Sequence, residues 1–337
     1  MDVDAVRDHT GGFVIGGVME HVEEAGVHSG DSACVIPPPT LTTETMAVIE
    51  HHTRAIAEAL DVRGLINVQF AVKRVAAGSD GPAAAQVFVI EANPRASRTV
   101  PFVAKATGVP MAKVAARVMV GATLAELREE GLLVAPVTGD HVAVKEAVLP
   151  FNRFPDADSL LGPEMRSTGE VMCIDRTFGL AFAKSQMAAG DRLPEAGTVF
   201  LSLADRDKDA GLRAARRFHE LGFGVAATAG TAAHLEASGV PVATVVAKLG
   251  DVTGTDAVEL IGSGKVVLVV NTPRGRGSRA DGAHIRTAAS VARIPCLTTA
   301  AAGEAAANGM ADWSRHELRV RTLQEYHGRR DQLALPL

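Results

Sequence analysis

Apolar and polar positions alternate without a break over Gly64–Lys73. Ile66, Val68, Phe70 and Val72 fall on one side of an extended chain, Asn67 and Gln69 on the other. A second such stretch, Gln86–Ala92, follows a Gly/Ala/Pro-rich run at Arg74–Ala85, and the pair predicts an antiparallel hairpin. Its surroundings, VFVIEANPRASR at Val87–Arg98, run from apolar residues into a carboxylate, an amide and two guanidiniums. Period two places Val87, Val89, Glu91 and Asn93 on one face. Upstream, Phe13–Val18 predicts a strand that leads into a polar loop, Glu20–Ser32. Thr42–Leu60 predicts a helix, with Met46, Ile49, Ile56 and Leu60 at helical spacing behind a threonine start. Pro110–Val120 predicts another, opened by proline and closed by Gly121.

From Ala122 to Gly190 the pattern is mixed: a short helix at Leu124–Glu130, a strand at His141–Leu149, a Pro/Gly loop (LLGPEMRSTGE) and a helix at Thr177–Ala189. After Pro194 it becomes regular. Strands are predicted at Thr198–Leu203, Val225–Ala229, Val242–Ala247, Lys265–Asn271 and Pro295–Thr299. Helices are predicted at Asp207–Leu221, Ala232–Ala237, Asp256–Ile261, Gly282–Ala292 and Gly303–Trp313. Strict alternation of strand and helix means a parallel sheet wound with helices. The domain boundary falls near residue 191, and a further division after Gly121 gives the segments 1–121, 122–190 and 191–337.

Length and composition fit this α/β reading. A chain of 337 residues favours two domains, with a third possible, and aromatics at 4% leave the interior to Ala, Val and Leu. No apolar run reaches the ~20 residues that span a bilayer, and the acidic start MDVDAVRDHT lacks the regions of a signal peptide. Cys34, Cys173 and Cys296 are isolated and odd in number, which fits a reduced cytoplasm. A net charge of -5 argues against a general nucleic-acid binder.

The chemistry concentrates at two places. If the hairpin pairs as predicted, Gln69, Glu91 and Asn93 supply hard oxygens around one point, the donors magnesium prefers alongside substrate phosphates. Arg95 and Arg98 would then neutralise an acyl phosphate or a transferred phosphoryl group. On residue types alone, a hydrogen-bonded turn beside solvated arginines fits the same string. In the final unit, Ser202, Lys208, Thr228, Gly230, Thr231, Lys248, Asn271 and Arg274 fall at or just past strand ends, where an open α/β sheet binds anions. Hydroxyls and cations there suit a phosphate monoester, although each lysine read singly is a surface charge. The arginines of Arg274–Arg279 lack the interleaved aromatics of a nucleic-acid site.

The strings IEANPRASRTVPFVAKATGVPMAKVAARVMVG, GGVMEHVEEAGVHSGDSACVIPP, VRGLINVQFAVK and LLGPEMRSTGEVM resemble the carbamoyl phosphate synthetase large chain, and the resemblance covers almost the whole sequence. It implies the C-terminal part of an ATP-grasp α+β domain, completed by residues 122–190. A Rossmann-like, methylglyoxal-synthase-like regulatory domain follows over 191–337. It also implies an ATP-dependent ligase that phosphorylates carbamate. Magnesium or manganese would sit on Gln69, Glu91 and Asn93, nucleotide on Gly26, Val27, His28 and Ser29, and the carbamate and phosphoryl groups against Arg95 and Arg98. By the same resemblance His21, Glu23, Val27 and Ser29 are potassium ligands, and Glu23, Asp31, Glu146 and Thr298 hold the activator ornithine. For the Glu20–Asp31 loop a solvated turn fits the residues alone.

In the final domain the resemblance assigns Ser202, Lys208, Thr228, Thr231, Lys248 and Asn271 to an allosteric nucleotide, uridylate or inosinate. Two departures leave the effector open: Pro273 replaces a frequent hydroxyl residue, and Cys296 an aromatic. The implied partners are a glutaminase small chain and the remaining N-terminal part of the large chain, within an oligomer. Met1 stands where the family usually has a glutamate, and the ATP-grasp lid has no counterpart in the string. The expectation is therefore that these residues alone do not complete phosphoryl transfer. A stand-alone nucleotide-binding regulatory module is the other reading. A true methylglyoxal synthase is disfavoured, because TAGTAAHLEASGVPV is not followed by the expected GGD-type segment.

Overall fold

Seven antiparallel strands build the first sheet, in the order β5-β4-β1-β2-β3-β6-β7. They are β1 (Asp2–Arg7), β2 (Phe13–His21), β3 (Cys34–Ile36), β4 (Gly64–Arg74), β5 (Ala85–Asn93), β6 (Val142–Val148) and β7 (Gly169–Asp175). The computed structural model describes residues 1–74, 85–136, 141–154, 157–247, 254–272 and 280–327. Helix α1 (Thr43–Ala59) is capped by Thr42, whose side chain accepts from the Thr45 amide. It lays Ile49 and Ala57 on one sheet face, against Val3, Ala5, Val18, Ile66, Val68 and Phe70. The other face meets α2 (Val100–Thr107), α3 (Met111–Met119) and α4 (Leu124–Glu129), where Val103, Met111, Val114 and Leu127 cluster with Val6, Met19 and Ile174. Gly16 allows that approach, since a Cβ there would stand 2.3 Å from the Met111 methyl.

Among the described residues, several elements escape the sequence pattern. β1 carries acids at alternate positions, so a buried strand reads as a polar terminus. β3 is too short to show a period, and β7 is half-buried along most of its length, leaving no apolar face to read. α2 has only eight residues, with proline in its first turn. The predicted 13–18 strand also extends to His21, so the polar loop starts later than expected.

One expectation is overturned. Pairing runs Asn67–Asn93, Gln69–Glu91 and then Phe70–Val89, which leaves Ile90 as an extra residue in β5. A bulge of this kind swaps the faces on either side of it. Val87 and Val89 therefore sit opposite Val72 and Phe70, on the side of α1, whereas Glu91 and Asn93 sit opposite Gln69 and Asn67 on the other. The four do not share one face. Their chemistry separates at Ile90.

The second sheet is parallel, as predicted, in the order β10-β9-β8-β11-β12. It comprises β8 (Thr198–Ser202), β9 (Gly224–Thr228), β10 (Thr244–Val246), β11 (Val266–Asn271) and β12 (Cys296–Leu297), each shorter than or offset from its predicted span. Around it lie α6 (Lys208–Glu220), α7 (Ala229–Ala237), α8 (Ala257–Gly262), α9 (Ala280–Val291) and α10 (Ala300–Arg315).

Residues 122–190 form no separate layer: they add β6 and β7 to the first sheet, and α5 (Phe178–Ala189) packs on those two strands and against α10. The boundary near 191 is no loose joint either. Val22, Val35 and Val144 share one buried cluster with Phe182, Leu201, Phe218 and Met310. Within it α5 crosses α10 at two glycines. A Cβ on Gly309 would lie 2.7 Å from the Gly179 carbonyl oxygen, and one on Gly179 would lie 2.9 Å from the Gly309 nitrogen. Gly309→Ala should gain up to about 1 kcal/mol of helix propensity. Prising the helices apart should cost about 1–3 kcal/mol. The clash should win, and urea unfolding should show a lower midpoint; a raised midpoint would mean that the crossing yields freely.

Candidate functional site

The bulge at Ile90 and the registers of β1 set up a polar area on the sheet face away from α1. Asp2 pairs with Gln69, which pairs with Glu91; Asp4 pairs with Asn67, which pairs with Asn93. Directly opposed residues point the same way, so two polar rows run across three strands. Gln69 is buried and donates from Nε2 to the Val27 carbonyl at 3.3 Å. Glu91 is exposed and accepts from Asn93 Nδ2 at 2.9 Å. Arg95 and Arg98 follow on the surface: Arg95 Nη1 donates to the Ala96 carbonyl at 3.0 Å, and Arg98 reaches the Met165 sulfur. Among the described residues no three His, Cys, Asp or Glu side chains gather as a ready metal centre. The donors present are one carboxylate and two amides, which suits a hard divalent cation completed by phosphate oxygens.

Asp4 underpins the set. It is fully buried and accepts hydrogen bonds from Asn67 Nδ2 (3.1 Å), Ser97 Oγ (2.7 Å) and Thr99 Oγ1 (2.6 Å). It thereby fastens β4 and the turn after β5 to β1. Burial, only partly opposed by these donors, raises its carboxyl to about 6. Asp2, one position along the face, is also buried, yet neither of its oxygens has a hydrogen-bond partner, nor has Nε2 of His21 3.7 Å away. Burial favours the neutral imidazole in His21; in Asp2 burial is the largest influence, yet His21, the Met1 ammonium and Ser29 together outweigh it and lower its pKa. An ionised buried carboxylate without a donor is rare and calls for a counter-ion.

The loop after β2 forms the next wall. Gly26 sits at φ 96°, and the amides of Val27 and His28 are held by the carbonyls of Glu24 and Gly162 at 3.2 and 2.9 Å. Lys145, buried on β6, donates to the Ser29 and Ser32 carbonyls at 2.7 and 2.6 Å. Beyond it opens a cavity of about 310 Å³ lined by Glu23, Asp31, Glu146, Asp191, Arg286 and Thr298, among others. It thus gathers all four residues assigned from the sequence to a cationic activator. Asp31, however, spends both oxygens on the Arg166 and Ser167 amides at 2.7 and 2.8 Å. Burial foremost raises Glu23 to about 8, with Glu146 adding to it, and raises Glu146 to about 7.

At the parallel sheet, Ser202, Thr228 and Asn271 end β8, β9 and β11. Ser202 pairs with Asn271 where the strand order turns back, the usual place for a ligand in such a sheet. Thr228 donates to Thr231 Oγ1 at 3.1 Å, and that hydroxyl accepts the Leu203 amide at 3.0 Å. Lys208 pairs with Asp205 at 2.8 Å. Lys248 and Arg274–Arg279 lie outside the described residues.

Comparison with known proteins falls in line with these two halves. Residues 1–127 match the family described as "Carbamoyl-phosphate synthase L chain, ATP binding domain", and residues 211–298 match the "MGS-like domain". The chain is 51% identical over 97% of its length to the carbamoyl phosphate synthase large chain of Mycobacterium tuberculosis strain H37Rv. It is 51% identical over 98% to that of Rubrobacter xylanophilus and 49% over 97% to that of Nostoc. It belongs to the carbamoyl phosphate synthase large-chain family. It spans 30%, 30% and 28% of those three relatives. Among solved structures, the biotin carboxylase domain of thermophilic 2-oxoglutarate carboxylase bound to bicarbonate shares 14% identity over 56% of this chain and 44% of that one, with a TM-score of 0.39. No helix of the described residues is long and apolar enough to cross a membrane.

Three residues of this family member were not singled out from the string: Asp2, Asp4 and Lys145. The alternation of DVDAVR carried the signal for the acids. For Lys145, a lone lysine inside the apolar strand VAVKEAV was the cue. Asp4 gives a testable consequence. The folded chain keeps its proton up to about pH 6, whereas the unfolded chain loses it near 3.8. Asp4's contribution to stability should then fall as pH rises from about 4 through about 6. Urea midpoints between pH 4.5 and 7 should decline more steeply for the wild type than for Asp4→Asn; parallel curves would place the raised carboxyl elsewhere.

Proposed function

We propose that this chain carries the metal-and-phosphate floor and the regulatory domain of a carbamoyl phosphate synthase, phosphorylating carbamate with ATP when joined to the rest of the large chain. The observation that carries this reading is the pairing of Gln69 with Glu91 and of Asn67 with Asn93, which turns three family-matched oxygen donors to one face. Gln69, Glu91 and Asn93 would hold magnesium or manganese, which when bound supplies charge neutralisation to the nucleotide phosphates. The residues of the chain do the rest. The 26–29 backbone supports the nucleotide, Asp4 fixes the geometry of the hairpin, and Arg95 and Arg98 offset charge on the carbamate and the transferred phosphoryl group. Glutamine-derived ammonia would come from a small-chain glutaminase.

A potassium ion beside His21, Glu23, Val27 and Ser29 would lie near the buried Asp2 carboxylate, which His21 approaches at 3.7 Å. Ornithine fits the cavity of Glu23, Glu146 and Thr298, because its ammonium groups suit buried carboxylates. Uridylate or inosinate fits the strand ends at Ser202, Lys208, Thr228, Thr231, Lys248 and Asn271.

Reconstitution with the remaining large chain and the small chain tests the reading. Glu91→Gln should lower carbamoyl phosphate formation by about 10²-fold or more, the scale of a lost charge partner at a phosphoryl-transfer centre. The 337-residue chain alone should form none. Nucleoside monophosphate binding without binding of magnesium ATP would favour a purely regulatory module.

The acid pair adds a pH signature. At pH 7 the empty cavity retains a proton on Glu23 and part of one on Glu146, and a bound ammonium favours their ionised forms. Ornithine binding should release protons and tighten as pH rises from about 6 through about 8. Calorimetry in buffers of different ionisation enthalpy reads both effects, and a pH-independent affinity would remove these carboxyls from the site.

A further inference from the structure

Arg286 stands between the two ligand sites and belongs to neither assignment. Its side chain is 5% exposed. Nη1 donates to Asn271 Oδ1 at 2.8 Å, at the end of β11. Nε and Nη2 grip both oxygens of Asp158 at 2.6 Å each. Asp158 opens the 158–168 loop, and its own carbonyl accepts Arg166 Nη1 at 2.8 Å. The far part of that loop reaches the first sheet. The Arg166 and Ser167 amides bind Asp31, Ser167 Oγ donates to the Gly30 carbonyl at 2.9 Å, the Gly162 carbonyl accepts the His28 amide, and Met165 meets Arg98.

We propose that the Arg286–Asp158 ion pair is the positioning element through which a phosphate monoester at the Asn271 strand end acts on the 158–168 loop and thereby on the 28–31 backbone and Arg98. The proposal rests on the reading that such a ligand binds beside Asn271. One guanidinium serves two acceptors on opposite sides. A dianion placed beside Asn271 competes with Asp158 for that charge, so the liganded state favours a looser Asp158 and a loop less firmly held. This supplies the differential interaction that coupling between distant sites requires. Gly282 leaves room for the guanidinium, since a Cβ there would come within 3.0 Å of Arg286 Nη1.

The test uses the 337-residue chain with inosine monophosphate and uridine monophosphate as probes. Calorimetry measures binding, and hydrogen exchange follows the Arg166 and Ser167 amides. In the wild type a saturating nucleotide should speed their exchange about fivefold or more, the lower end of ordinary coupling. Asp158→Asn keeps the shape but loses the charge. It should bind the nucleotide at least as tightly as wild type, because Asp158 no longer competes for Arg286, while the exchange response drops below about twofold. A full response in Asp158→Asn overturns the relay, and so does loss of binding in that variant, which would make the pair part of the pocket itself. Absence of binding by the wild type brings down the nucleotide reading and the relay together, and is distinguished from the other outcomes by calorimetry on the wild type alone.

Discussion

Gln69 faces Glu91 because β5 carries one residue more than β4 needs, and the polar rows depend on that mismatch. With a regular pleat, Glu91 would stand on the side of Val87 and Val89, against the apolar surface that α1 shares with Phe70 and Val68. A carboxylate there would displace the apolar contact that half-buried Val87 and Ala92 make with the α1 cluster. The bulge at Ile90 resolves the conflict: Val87 keeps its contact with the α1 cluster, and Glu91 emerges beside Gln69. Hydrophobic burial on one face thus fixes the geometry of the oxygens on the other.

How much of this was legible in the string varies with the length of each signal. Ten alternating residues in β4 and seventeen helical ones in α1 declare themselves, because a period repeated several times survives local exceptions. A bulge does not, since it is a single-residue offset set by the partner strand. The buried acids of β1 were hidden by the opposite problem. Asp2 and Asp4 read as surface charge, and only Asn67, Ser97 and Thr99, 63 to 95 residues away, show why Asp4 tolerates burial. The hairpin donors were recognisable one by one, but their convergence required the register. The parallel sheet was recognisable through its strict alternation, whereas its short β10 and β12 strands fell inside the predicted spans rather than filling them.

The segment from Val22 to Ala33 matters because several environments share it. The Val27 carbonyl receives Gln69, the Ser29 and Ser32 carbonyls receive Lys145, and Glu23 accepts the Ala33 amide at 2.6 Å while lining the cavity. Burial by itself would lower the Lys145 pKa, yet Cys34 and Glu170, whose carboxylate lies 3.3 Å away, keep it above the usual lysine value. Lys145 is thus a permanent buried cation next to two carboxyls that hold protons near neutrality. The loop backbone is tied to that cation, not to solvent.

A shared wall has a thermodynamic consequence. If a cation in the Glu23–Glu146 cavity and a nucleotide on the 26–29 backbone each favour one arrangement of this segment, each must raise the other's affinity by the same factor. The 158–168 loop bears on the same segment through Asp31 and His28, so a change at Asp158 would bias that same equilibrium. No long wire through the protein is needed for that. The core running from Val22 and Val35 to Leu201 and Met310 keeps the two sheets packed together, and movement is left to the hydrogen-bonded loops between them. Close-packed cores resist continuous deformation, whereas a loop held by a few polar contacts can exchange one partner for another. The proposed ligand sites lie along that second kind of structure, which is where a few kcal/mol of ligand binding would be expressed as a change in shape.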